Sequence, residues 1–186
     1  MKNFVLVVLI LLVIIIGGIF VTRRTETPSK QAPQLSTIKT MEITSSSFQN
    51  NKSVPKKYSC DGLNISPPLT VSNVPSAAKS LALIVSDPDA PGGDFVHWIV
   101  WNISPTTTEI AEGTTPKGSV VGKNDFGKKS YDGPCPPSGT HRYIFTLYAL
   151  DTVLKLDSEA QKIDVQKTIA GHNVSAASLI GTYSRR

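Results

Sequence analysis

Only three histidines occur in the 186 residues, and two of them stand where a turn-rich loop runs into an apolar stretch. His97 lies near the end of "SDPDAPGGDFVHW" (86–98), and His141 near the end of "GPCPPSGTHRY" (133–143), two residues before Tyr143. Two imidazoles, a phenol and backbone N–H groups freed by glycine turns are donors suited to a small anion such as phosphate or a carboxylate. Asp87 and Asp89 would repel an anion unless protonated or engaged. A carboxylate that holds an imidazole in its donating state does engage, and it favours the charged imidazole, so such a site would bind anions better at mildly acidic pH. Taken singly, each residue also has a structural reading. A histidine at a strand entrance is often packed, Tyr143 could be a core residue, and Asp87-Pro88-Asp89 could form a turn. His172, in "IAGHNVS", has no partner in its own segment and reads as structural. The joint placement of the others carries the binding reading.

These side chains converge only if the strands that hold them do. Short runs rich in β-branched and aromatic residues, bounded by Pro, Gly, Asp or Asn, predict strands at 81–86, 97–103, 119–122 and 142–150. More exposed strands are expected within 41–48 and 67–74. Antiparallel pairing of 81–86 with 97–103 would put Asp87 and His97 at one end of the sheet. If 142–150 runs in the same direction as 97–103, His141 and Tyr143 join them, between walls formed by "DAPGG" and "GPCPPSG". In 142–150, Tyr143, Phe145, Leu147 and Ala149 alternate with Ile144, Tyr148 and Leu150, so both faces are apolar and the strand belongs inside its sheet. One helix is expected over 157–171, capped by Asp157 or Ser158 and stopped by Gly171, and a second short one in "VSAASLIG" (174–181). The fold class is therefore mainly β, a sandwich with one or two short helices near the C-terminus.

Ahead of this domain, residues 4–21 carry no charge, and an 18-residue helix would reach roughly 27 Å, near the hydrocarbon thickness of a bilayer. No small-residue cleavage site follows in "GGIFVTRRTE", so residues 1–21 read as an N-terminal transmembrane anchor, with a cleaved signal peptide as the alternative. Residues 22–40, poor in large apolar side chains, read as a tether, and 41–186 as the globular domain. A membrane-anchored domain on the extracytoplasmic side is the expected location. Residues 1–40 hold five of the 19 basic side chains and one of the 14 acidic ones, so the domain itself carries only +1 of the formal +5. The basic balance therefore belongs to the segment beside the apolar run, and nucleic acid is not an expected partner. Cys60 and Cys135 are too far apart for a metal motif and could pair or stay separate.

The motifs also resemble a known family. "SDPDAPGGDFVHW", "GPCPPSGTHRY", "YSCDGLNISPPL" (58–69), "NDFGKKSYDGPCPP" (124–137), "RYIFTLYALD" (142–151) and "LIGTYSR" (179–185) resemble the phosphatidylethanolamine-binding proteins, nearest to their bacterial and archaeal Raf-kinase-inhibitor-like branch. The resemblance covers residues 41–186. It implies a β-sandwich whose pocket takes phosphate, phosphoethanolamine-like headgroups or acetate. Matched by motif, Asp87 and Asp89 are the rim acids, Pro91 follows a cis peptide bond, His97 is one pocket histidine, and Gly133, Pro134, His141 and Tyr143 form the opposite wall. "GTYSRR" stands where animal members have a longer closing helix, which weakens any transfer of their kinase contacts.

Three functions follow as expectations. The leading one is non-catalytic binding of a small anionic or phosphorylated ligand, without metal or cofactor. The second is inhibition of a kinase or protease through the protein surface. The third is a metal-dependent hydrolase, for which no serine or cysteine stands beside a base as a nucleophile.

Overall fold

The computed structural model describes residues 39–185, and their fold is that of a β-sandwich. The smaller sheet has three strands in the order β1 (Glu42–Thr44), β3 (Leu69–Ser72) and β6 (Glu109–Ile110). The larger has six, in the order β2 (Lys52–Ser53), β9 (Asn173–Ser184), β8 (Thr140–Leu150), β4 (Ser80–Asp87), β5 (Phe95–Ile103) and β7 (Val120–Val121). All neighbours in the larger sheet are antiparallel except β2 and β9.

Alternation along the central strands fills two cores. Leu81, Leu83 and Val85 of β4 with Tyr143, Phe145, Leu147 and Ala149 of β8 pack towards the small sheet, meeting Ile43, Leu69, Val71 and Ile110. The opposite face carries Ala82, Ile84, Ile99, Trp101 and Leu150, covered by Leu154, Ala160 and the α-helix α1 (Lys162–Ile169) through Val165 and Ile169. Two-sided burial is why these strands read as nearly continuous apolar runs. Asn102 adopts φ 57° within β5, and its side-chain amide exchanges two hydrogen bonds with the Leu154 backbone, clamping the cover onto the sheet.

Several expectations need correction. The segment 174–181 is not a helix but the middle of β9, paired with β8 along its length. Its Ala, Ser and Leu content suits a helix, yet Leu179 and Tyr183 alternate inward, and pairing with a buried neighbour overrides the weak local preference. The helix expected over 157–171 is shorter. Asp157 instead makes a turn with the Glu159 N–H, and the Asp164 carboxylate caps α1 by accepting the Gln161 N–H.

Residues 1–38, which hold the expected anchor and nearly all of the expected tether, lie outside the described residues. Among the described residues no helix is long and apolar enough to cross a membrane. With eight residues, α1 spans about 12 Å against the roughly 30 Å of a bilayer core. Among the described residues the fold class is thus mainly β with one short α-helix, and none of them forms the transmembrane helix that was expected. The described residues thus lend the expected membrane-anchored location no support.

Candidate functional site

The strand order meets the condition for convergence. β5 and β8 flank β4, both antiparallel to it, so the end of β4 and the starts of β5 and β8 share one edge of the sheet. Asp87, His97, His141 and Tyr143 meet there, and all four are buried.

Asp87 closes β4 with both oxygens engaged. Oδ1 accepts the Asp89 N–H at 2.9 Å, which turns the chain, and Oδ2 lies 2.7 Å from Nδ1 of His141. A carboxylate can only accept here, so His141 donates through Nδ1, and its Nε2 carries a proton only when the ring is charged. His97 has the same polarity for another reason. Its Nδ1 donates to the Asp132 carbonyl at 2.7 Å, which leaves Nε2 as the free edge. Burial pushes the His97 pKa below the ordinary histidine value, against opposing pulls from the Asp132 carbonyl and the Asp87 charge. The two imidazoles therefore sit in different states: one is held by a carboxylate, the other is kept neutral by desolvation.

Tyr143 packs edge-on to the His97 ring with centroids 5.1 Å apart. Its hydroxyl lies near the Asp87 carboxylate and the Cys135 N–H, but it is fully buried without a partner in hydrogen-bond geometry. Burial, then the Asp87 charge, raises its pKa far above that of a free phenol, so it stays protonated. A buried hydroxyl without a partner costs roughly 1–3 kcal/mol, and few native positions tolerate it.

The wall containing Gly133 and Pro134 is pinned to residues 58–64. Gly133 donates its N–H to Oδ1 of Asn64 at 2.7 Å, Cys60 donates to the Pro134 carbonyl at 3.1 Å, and Tyr131 donates its hydroxyl to the Tyr58 carbonyl at 2.9 Å. Any Cβ on Gly133 would lie 2.1 Å from the Tyr58 carbonyl oxygen, so only glycine allows the two backbones this approach. Cys60 and Cys135 form a disulfide beside it, resolving the pairing that the sequence left open.

Two further residues named from the sequence, Asp89 and Pro91, lie in the loop between β4 and β5. Asp89 turns to Arg142, accepting its backbone N–H at 2.9 Å, Nε at 2.8 Å and Nη2 at 2.6 Å. These hydrogen bonds, the Arg142 side chain first, hold its carboxyl down to about 2. Asp89 thus anchors the β4–β5 loop to the start of β8. Pro91 is exposed in that loop, and the cis bond expected before it is absent: no cis peptide bond occurs among the described residues. His172 pairs with Asp151 at 2.8 Å, in an exposed contact on the β8–β9 side of the fold.

Sequence reasoning missed the group that holds His97 from behind. Asn124 donates through Nδ2 to the carbonyls of His97 (3.3 Å) and Ser130 (3.0 Å) and to Oδ2 of Asp132 (2.9 Å). Asp132 also receives Lys128 at 2.9 Å and Asn64 at 3.2 Å. Burial would raise the Asp132 pKa, yet these hydrogen bonds together outweigh it and keep the carboxyl below its ordinary value. Phe95 and the exposed Phe126 stand edge-on to His97 at 5.5 and 5.4 Å, forming an apolar lip. The density of Asn, Asp and Lys in "NDFGKKSYDG" was the available signal. Among the described residues no three His, Cys, Asp or Glu side chains are arranged to hold a metal ion.

Residues 44–184 match the family model described as phosphatidylethanolamine-binding protein. The chain belongs to that family. A UPF0098 protein of Methanothermobacter thermautotrophicus is 51% identical over 150 residues, covering 78% of this chain and 99% of the relative. The crystal structure of a putative phosphatidylethanolamine-binding protein homologue from Chlamydia trachomatis superposes with a TM-score of 0.76 at 45% identity, covering 79% of this chain and 99% of that one. Escherichia coli YbcL, described as a member of the mammalian family, follows at 0.75 and 32%, covering 80% and 100%. Membership of the phosphatidylethanolamine-binding protein family supports a binding role in general terms, and no finding assigns catalysis.

Proposed function

We propose that this protein binds a small anion, a phosphate, phosphoethanolamine-like headgroup or carboxylate, without transforming it. The observation that carries the reading is the Tyr143 hydroxyl, a protonated donor buried without a partner beside two imidazoles. An anionic oxygen would satisfy it. His141 supplies a second donor through Nε2 once protonated, with the charge balanced by Asp87. His97 donates from the other side only when it too is protonated, and the Cys135 N–H adds a backbone donor. The lone pair of a neutral Nε2 faces an anion unfavourably, so affinity rises as pH falls. The metal-dependent hydrolase reading has no observation of its own, and both cysteines are in the disulfide. Surface inhibition of a kinase or protease has no observation of its own here.

The test is a titration of the full chain with phosphate, phosphoethanolamine and acetate, followed by NMR at the side chains of His97 and His141. Saturable shifts that strengthen with falling pH are expected. Absence of shifts with all three would sink the reading.

A further inference from the structure

A cleft opens on the face of the six-stranded sheet opposite the imidazole site, beneath α1. Its volume is about 200 Å³, and its floor is Ile84 and Ile144. Around that floor stand the hydroxyls of Ser86, Thr146 and Tyr148 and the side-chain amide of Gln166. The register explains the grouping: Ser86 lies opposite Ile144, Ile84 opposite Thr146 and Ala82 opposite Tyr148, so these side chains share one face. Lys162 and Gln166, one helical turn apart on α1, close the side, and Lys162 is ion-paired with Asp94.

Among the described residues, the Ser86 and Tyr148 hydroxyls and the Gln166 amide have no protein partner, and Thr146 has one marginal contact, to Ser178 at 3.5 Å. Four groups that can each donate and accept are thus set around an apolar floor. Lys162 and Asp94, the only charged side chains lining the cleft among the described residues, neutralise one another. An anion would meet Asp94 and a cation Lys162, each at the expense of that pair. Tyr148 remains protonated, because burial, and then the Asp94 charge, raises its pKa. The volume falls below the roughly 300–1,000 Å³ of sites for drug-sized ligands, so the occupant is small.

We propose that this cleft binds a neutral polyol the size of one sugar ring, at a site separate from the imidazole site. A sugar ring has apolar C–H faces to lay on Ile84 and Ile144, and hydroxyl edges that both donate and accept towards Ser86, Thr146, Tyr148 and Gln166. No charge is needed on either side.

The experiment titrates the isotope-labelled full chain with the methyl glycosides of glucose, galactose and mannose and with myo-inositol. Saturable NMR shifts at Ser86, Thr146, Tyr148 and Gln166 are expected for at least one probe, while the side chains of His97 and His141 stay unmoved. Ser86→Ala and Gln166→Ala should each weaken that binding by about three- to tenfold, the worth of one hydrogen bond, with unchanged melting temperature. The proposal is overturned if no probe gives saturable shifts, if neither substitution alters the affinity, or if inorganic phosphate produces the same shifts. None of these outcomes bears on the anion reading, which is measured at the histidines.

Discussion

Oδ2 of Asp87 holds Nδ1 of His141 at 2.7 Å, joining the last residue of β4 to the second residue of β8 across 54 positions of sequence. Both side chains are buried, so the contact is charge-assisted when the ring is protonated and screened little by solvent. It fixes which ring nitrogen faces the site. Asp87→Asn keeps an acceptor but removes the charge. The expected cost is about 1–3 kcal/mol in urea unfolding, together with weaker phosphate binding at mildly acidic pH. Unchanged affinity would show that the carboxylate does not support a charged His141.

Tyr143→Phe should separate stability from function. Removing a buried hydroxyl that lacks a partner leaves stability unchanged or raises it by roughly 1 kcal/mol, whereas phosphate affinity falls by about three- to tenfold. Thermal unfolding and calorimetric titration of the same variant measure both. A loss of stability would mean that the hydroxyl is bonded in the free protein.

His97 predicts how stability depends on pH. Its folded pKa lies below the ordinary value of about 6.5, so between the two the unfolded chain binds more protons than the folded one. Stability is then fully present above about 6.5 and is lost as the pH falls towards the folded value, with a slope of at most about 1.4 kcal/mol per pH unit. Urea midpoints measured down to pH 5 should show the decline, and His97→Gln should flatten it. An equal decline in the variant would assign the effect to other groups.

The Cys60–Cys135 disulfide closes a loop of 75 residues. Converting both cysteines to alanine should cost roughly 2–5 kcal/mol, because the unfolded chain regains loop entropy. Chemical denaturation measures this, and a cost below about 1 kcal/mol would mean that the hydrogen bonds between residues 58–64 and 131–134 hold the wall unaided.

Much of this site was legible because its signals are local. Apolar runs located β4, β5 and β8, and turn residues located the loops that place Asp87, His97 and His141 at strand ends. The identity of β9 was hidden, because "VSAASLIG" is a strand only by virtue of β8 beside it. The partners of His97 were hidden too. Asn124 and Asp132 act through carbonyl groups and a carboxylate brought together by the fold, and no periodicity marks such contacts. Asp89 illustrates a further limit: its neighbourhood in sequence pointed to the site, while Arg142, adjacent to His141, drew it outward.

The packing of Gly133 against Tyr58 bears on how this protein can diversify. Where two backbones touch with no room for a methyl group, the position of that wall cannot be tuned by exchanging side chains, since any replacement displaces the wall itself. Phe95 and Phe126, whose rings meet edge-on at 4.8 Å beside His97, are under no such backbone constraint, so exchanging those side chains alters that side without moving the chain.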